Sequence, residues 1–191
     1  SVEQATVCAE YDDGSTTQGE VEVDFEQSRG RRVSRIWLEP EVNIHPAAAA
    51  AIPTFDAVII GPGSFYTSLV PIFLPNGVRE AVAAVDGPIV LVTNLLTEGR
   101  GMRGFSVAAA VSRISEAIGR GVDVVIVNTG NPGDESLARY AAEHKEPLPV
   151  GDVPDGCEVV TGEFWRGEFA RHARRRLAYA VWGVLSQRLL R

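Results

Sequence analysis

The chain has 191 residues, 45% of them hydrophobic and 23% charged, with a formal net charge of −7. This is the composition of an ordinary globular domain large enough for a real core. It contains no apolar run near the ~20 residues that a membrane span needs, and its acidity argues against broad nucleic-acid binding. The cysteines, Cys8 and Cys157, lie in apolar strand-like runs without metal-ligand spacing. They read as buried free thiols of a reducing compartment. The chain opens at Ser1 without an initiator methionine or a charged-then-apolar leader and enters a strand pattern almost at once. The expectation is a piece of a longer cytoplasmic protein.

In chain order, the period from Gln4 to Leu38 is two. Thr6 to Tyr11, Gly19 to Phe25 and Arg32 to Leu38 alternate apolar and polar residues between turn signals, which predicts a three-stranded antiparallel meander with one wet face. Glu20, Glu22 and Asp24 would then share one side of the second strand, as a solvated edge and not a metal site. Pro40 and Pro46 end this region, and Ala47 to Ile52 reads as a short helix. From Asp56 onward, short β-branched runs alternate with helical ones, the pattern of βαβ units and a parallel sheet. The strands fall at Asp56 to Ile60, Pro88 to Thr93, Val122 to Val127 and, more weakly, Cys157 to Thr161. Helices are predicted over Gly77 to Val85, Ser106 to Arg120, Asp134 to Glu143, and Glu168 to Arg191. The last carries Phe169, Leu177, Val181, Val184, Leu185 and Leu189 on a rough apolar stripe.

In such a sheet the loops after the strands emerge at one edge. Here they are Gly61-Pro62-Gly63-Ser64, Asn94 to Gly101, and Asn128 to Asn131. Glycines, amides and hydroxyls converging there suit a polar ligand bearing phosphates. Each loop also has a plain structural reading. Gly61 and Gly63 can serve the turn alone, Ser64 or Thr67 can cap a helix, and Asn94 and Asn128 can close strand ends. Arg100 and Arg103 suit a phosphate or plain solvent. His45, His144 and His172 lie far apart, and the arginines around His172 would disfavour its charged form. The RHARRR run reads as a solvated helix face. There is no Walker lysine and no dinucleotide fingerprint, and neither a nucleophile–base pair nor a metal cage can be named.

The stretch DAVIIGPGSFYTSLVPIFLPNGVREAV resembles the signature of the CofD-like superfamily, in its bacterial gluconeogenesis-factor branch. Asp56, Gly61, Pro62, Gly63, Ser64, Tyr66, Thr67, Ser68, Pro71, Gly77, Glu80 and Ala81 match. Ala9-Glu10, Asp13-Gly14 and Gly19-Glu20 resemble the preceding meander of that family. Asn94 with Thr97 is similar to its Asn-x-Met-Thr-Gln loop, and Arg171-His172 with Leu177-Ala178 to its closing Arg-His-Asp helix. The chain departs from the pattern at Glu98 to Met102, at Ala109-Ala110 and at Ala173. It also shows no Gly-Gly-Gly-Thr-Gly loop, so half of a nucleotide site is expected to lie outside it.

The resemblance implies a Rossmann-like parallel sheet with flanking helices, preceded by a short antiparallel meander. The meander would occupy residues 1–45 and the α/β unit residues 46–191. It implies a nucleotide or UDP-sugar-type ligand and a regulatory role in carbon metabolism and cell-envelope morphogenesis. The sister branch implies an alternative, transfer of a phospholactyl group from a nucleotide diphosphate donor with Mg²⁺; a ligand-free interaction module is the third. The ligand-contacting candidates are Gly61, Pro62, Gly63, Ser64, Tyr66, Thr67, Ser68, Asn94, Thr97 and Asn128. Asp56, Glu98, Arg100, Arg103 and His172 follow as secondary ones. No metal ligand or catalytic residue is assigned, no nucleic acid or membrane partner is expected, and a homo-oligomer is compatible with the sequence.

Overall fold

Parallel strands buried on both faces need continuous β-branched runs, and the chain supplies them. In the computed structural model, which describes residue 1 and residues 3–190, the strands β4 (Val58–Ile60), β5 (Ile89–Val92), β6 (Val124–Asn128) and β7 (Glu158–Gly162) pair in that order, all parallel. Side chains alternate across the sheet. Ile89, Leu91, Val125 and Val127 enter the larger core, whereas Val90, Val92, Val124 and Ile126 face the opposite side.

Helices cover both faces. On the first, α4 (Val107–Ile118) buries Val107, Ala110, Val111, Ile114 and Ile118, the spacing of one helical stripe. Its ends are set locally: Ser106 Oγ accepts from the Ala109 N–H at 3.1 Å, and Gly119 turns left-handed with a φ of 74°. On the second face, α6 (Arg174–Leu189) packs Leu177, Val181, Val184 and Leu185 against the sheet. The shorter helices α2 (Pro46–Ala51) and α3 (Val78–Ala83), with α5 (Asp134–Ala142), complete the layers.

Two expectations are corrected. Glu20–Ser28 is not a strand but a helix, α1; the antiparallel sheet has the order β2 (Thr16–Gln18), β1 (Thr6–Tyr11), β3 (Val33–Glu39). The alternating Val21, Val23 and Phe25 imitate a strand, yet only Val23 is buried with Gln27, four residues on, while Val21 and Phe25 are exposed. Glu20 and Glu22 sit in the first turn, where the helix dipole favours acids. The row of Glu20, Glu22 and Asp24 therefore does not share one strand face.

The second correction concerns Glu168 to Arg191. A small hairpin, β8 (Trp165–Arg166) with β9 (Phe169–His172), precedes the last helix, so His172 lies on a strand; the predicted end at Arg191 lies outside the described residues. Phe169 and Leu189 are exposed and do not join the stripe. The larger core unites both sheets. Ala9, Tyr11, Val23 and Val33 cluster with Ile60, Leu91, Ile114 and Val125, which holds α1 against the parallel sheet.

Candidate functional site

Parallel pairing puts the ends of β4 and β5 side by side, and Asn94 ties their loops together. Its Oδ1 accepts from the Gly63 N–H at 3.2 Å, and its Nδ2 donates to the Gly63 carbonyl and to Glu98 Oε1, both at 2.9 Å. Gly61 has a φ of 77°, and a Cβ there would stand 2.8 Å from the Val92 carbonyl oxygen, so this turn requires glycine.

The backbone then enters a π-helical turn, Phe65–Leu69, anchored by Phe65 and Tyr66 packed edge-on at 5.1 Å. An N–H at the start of such a turn would suit a phosphate, but here a carboxylate of the protein takes it. The Phe65 N–H lies 3.1 and 3.0 Å from the two Glu98 oxygens. Ser64 Oγ stands 3.2 Å from Glu98 Oε2 and 3.3 Å from Asp24 Oδ1, so its single proton serves one carboxylate at a time. Thr67 Oγ1 lies 3.1 Å from the same Asp24 oxygen and 2.6 Å from Ser64 Oγ. Burial pushes the Glu98 carboxyl above its ordinary range. The Phe65 N–H and the Ser64 hydroxyl oppose that rise, Asp24's charge adds to it, and Asn94 opposes it in turn.

Around this network opens a cleft of about 630 Å³, a size that suits a small-molecule ligand. It gathers Pro62, Gly63, Ser64, Asn94, Thr97, Glu98 and His172 from the expected residues. Thr97 is tied to Glu146: its N–H donates to the Glu146 carbonyl at 2.8 Å, and its Oγ1 accepts from the Glu146 N–H at 3.0 Å. His172 is half-buried, which lowers its pKa below the usual value; a hydrogen bond to the Thr93 backbone opposes this. Burial, and not the neighbouring arginines, is thus the cause.

The other expected residues stand elsewhere. Asp56 is exposed at the start of β4, at the opposite edge of the sheet. Tyr66 is buried, Ser68 is exposed, and Gly61 and Thr67 support the loop from behind. Asn128 closes its own loop, bonding Gly130 at 2.9 and 3.1 Å and accepting from the Phe164 N–H at 2.8 Å. Arg100 and Arg103 line a separate cleft.

Asp24, Gln27, Tyr140 and Lys145 join the main cleft although the sequence did not single them out as ligand contacts. Asp24 and Gln27 share a helix face only because α1 is a helix, where residues three apart are neighbours. Gln27 is 2% exposed, and its Nε2 is buried with no partner among the described residues. The sole lysine of the chain, Lys145, was visible as a rarity without a location. Among the described residues no group of three or more His, Cys, Asp or Glu side chains is placed to hold a metal ion. Asp24 and Glu98 do offer two carboxylates, the number Mg²⁺ often takes when substrate phosphates complete its shell.

A parallel sheet with a polar cleft at the carboxyl ends of its strands defines a Rossmann-like α/β protein. More specifically, the chain belongs to the CofD family: the family profile described as 2-phospho-L-lactate transferase CofD matches residues 1–165. A relative from Aquifex aeolicus is 33% identical over 98% of this chain and 60% of its own length. The gluconeogenesis factor of Listeria monocytogenes is 32% identical over 93% of this chain and 55% of its own. A crystal structure of a Bacillus halodurans protein, also described as a member of the UPF0052 family, superposes with a TM-score of 0.82 at 25 to 26% identity; the match covers 94% of this chain and 59% of that one. The chain thus spans about three fifths of the length of these relatives. No helix among the described residues is long and apolar enough to cross a membrane.

Proposed function

We propose that the main cleft binds a nucleotide-sugar, of the UDP-sugar type, and that binding serves regulation of carbon metabolism and cell-envelope growth in the manner of a gluconeogenesis factor. The observation that carries this reading is the unpartnered, buried Gln27 amide beside two carboxylates and one lysine in a single cleft. A buried amide donor without an acceptor costs about 1–3 kcal/mol, which a ligand carbonyl or oxygen would recover. Asp24 and Glu98 accept hydrogen bonds and carry negative charge, so they favour sugar hydroxyls over bare phosphate. Lys145, whose Nζ pairs with Glu143 at 2.7 Å, is the point charge that would turn to the diphosphate. Membership of the CofD family and likeness to the Listeria gluconeogenesis factor support the same direction.

Isothermal titration of the full chain with UDP-N-acetylglucosamine tests it, with folding verified by circular dichroism. Saturable heat is expected, and Gln27→Ala should weaken binding about tenfold, the equivalent of one hydrogen bond of roughly 1.4 kcal/mol. Absence of heat from the folded chain would sink the reading.

The meeting of Asp24 and Glu98 at Ser64 favours a second reading, transfer of a phosphorus-containing group. Mg²⁺ held by these two carboxylates would supply charge neutralisation for a leaving diphosphate. Donor turnover that needs Mg²⁺ and is lost in Glu98→Gln supports it. No turnover with Mg²⁺ present excludes it.

A further inference from the structure

A second cleft, of about 460 Å³, is lined by Gly30, Arg32, Arg100, Arg103, His144 and Glu146. The two clefts share neighbouring stretches: Glu98 faces one and Arg100 the other, Lys145 one and His144 with Glu146 the other. Three guanidiniums thus surround one hollow. None of them is ion-paired with a carboxylate among the described residues, Glu146 included.

The arginines are held in place. A Cβ on Gly101 would stand 2.3 Å from the Arg31 carbonyl oxygen and 2.9 Å from that of Gln27, so the Arg100–Met102 turn is pressed onto the end of α1. A Cβ on Gly30 would lie 3.4 Å from the Arg100 Cβ, and one on Gly99 would lie 3.4 Å from the Ser28 Cα. Arg32 Nη2 donates to the Arg103 carbonyl at 3.3 Å, and Arg100 Nη2 donates to His144 Nε2. Arg100 and Arg103 are exposed, yet the turn that carries them is docked on α1, so their guanidiniums project from a fixed backbone. Like charges held around one hollow repel, and an anion that enters it removes that cost.

The geometry points to a binding site for a phosphoryl group in this second cleft, with Arg32, Arg100 and Arg103 as its donors and His144 orienting Arg100. Arginine forks match the tetrahedral oxygens of a phosphate, and three positive charges against the one Glu146 carboxylate leave the hollow net positive. Arg100 falls within Glu98 to Met102, where the chain departs from the family pattern. It stands whether or not the main cleft binds a nucleotide-sugar.

The probe is inorganic phosphate, followed by thermal unfolding of the full chain at fixed ionic strength, with chloride as the control anion. A saturable rise in Tm of about 3–6 °C is expected at roughly tenfold excess over Kd. Arg103→Gln and the double variant Arg100→Gln/Arg103→Gln should abolish it, while Arg175→Gln, which removes the same charge from α6, should keep it. An equal rise with chloride, or an undiminished rise in the double variant, overturns the proposal. So does a rise that survives Arg103→Gln but is lost in Gln27→Ala, because the phosphate would then sit in the main cleft.

Discussion

Asn94→Ala should unlock the junction between the first two loops. The substitution removes an acceptor for the Gly63 N–H, a donor to the Gly63 carbonyl and a donor to the Glu98 carboxylate. Each neutral bond is worth about 1 kcal/mol and the charged one about 1.5–3 kcal/mol. Asn94 is only partly buried, so water can enter and replace part of this, leaving an expected loss of about 2–4 kcal/mol. For a chain of this length that lowers Tm by about 5–15 °C. Urea denaturation followed by circular dichroism measures it, with an unchanged m-value as the check that only stability has moved. Asn94→Asp sharpens the test, because it adds a third carboxylate to the Asp24–Glu98 pair. Its loss should exceed that of Asn94→Ala at pH 7 and shrink at acid pH, where the pair can hold a proton. A loss below about 0.5 kcal/mol in Asn94→Ala would show that the junction is not held by this side chain.

Glu98→Gln should stabilise the chain at neutral pH. The folded-state pKa lies above the ordinary 4.5, so the charged carboxylate is disfavoured by folding; the stability held below 4.5 is lost as pH rises through the folded pKa. The gap between variant and parent should therefore close as pH falls towards 4.5, and a gap that widens would contradict the assignment. His172 has the opposite sign. Its pKa is lowered from 6.5, so its contribution is present above that pH and is lost as pH falls through the folded value. NMR titration of the ring should give a midpoint below 6.5, and His172→Gln should flatten the corresponding slope in stability. Gly61→Ala meets both a left-handed φ of 77° and a contact of 2.8 Å with the Val92 carbonyl, so a loss of about 2 kcal/mol or more is expected in chemical denaturation. A neutral result would mean that the loop relaxes freely.

Much of the parallel sheet could be read from the chain because its code is local. Ile89–Val92 and Val124–Asn128 are apolar runs bounded by turn residues, and Val107–Ile118 carries its own cap, stripe and terminating glycine. The segment Glu20–Ser28 could not be read this way. Its period-two pattern and its helix-favouring acids conflict, and packing of Val23 and Gln27 into the core settled the matter. That misreading also hid one wall of the cleft, since Asp24 and Gln27 meet it only from a helix.

The sequence alone determined that Gly63, Ser64, Asn94 and Glu98 would reach one sheet edge, because parallel strands end their loops together. It carried the family as well, in the GPGSFYTS pattern. Only the tertiary structure decided what occupies the anion-seeking N–H of Phe65: a carboxylate thirty-three residues away in sequence. It likewise decided that Arg32, distant in the chain from Arg100 and Arg103, joins them around one hollow. Such pairings follow from how α1 and the loop after β5 dock together, and docking depends on the shape and burial of both surfaces, which no local stretch contains.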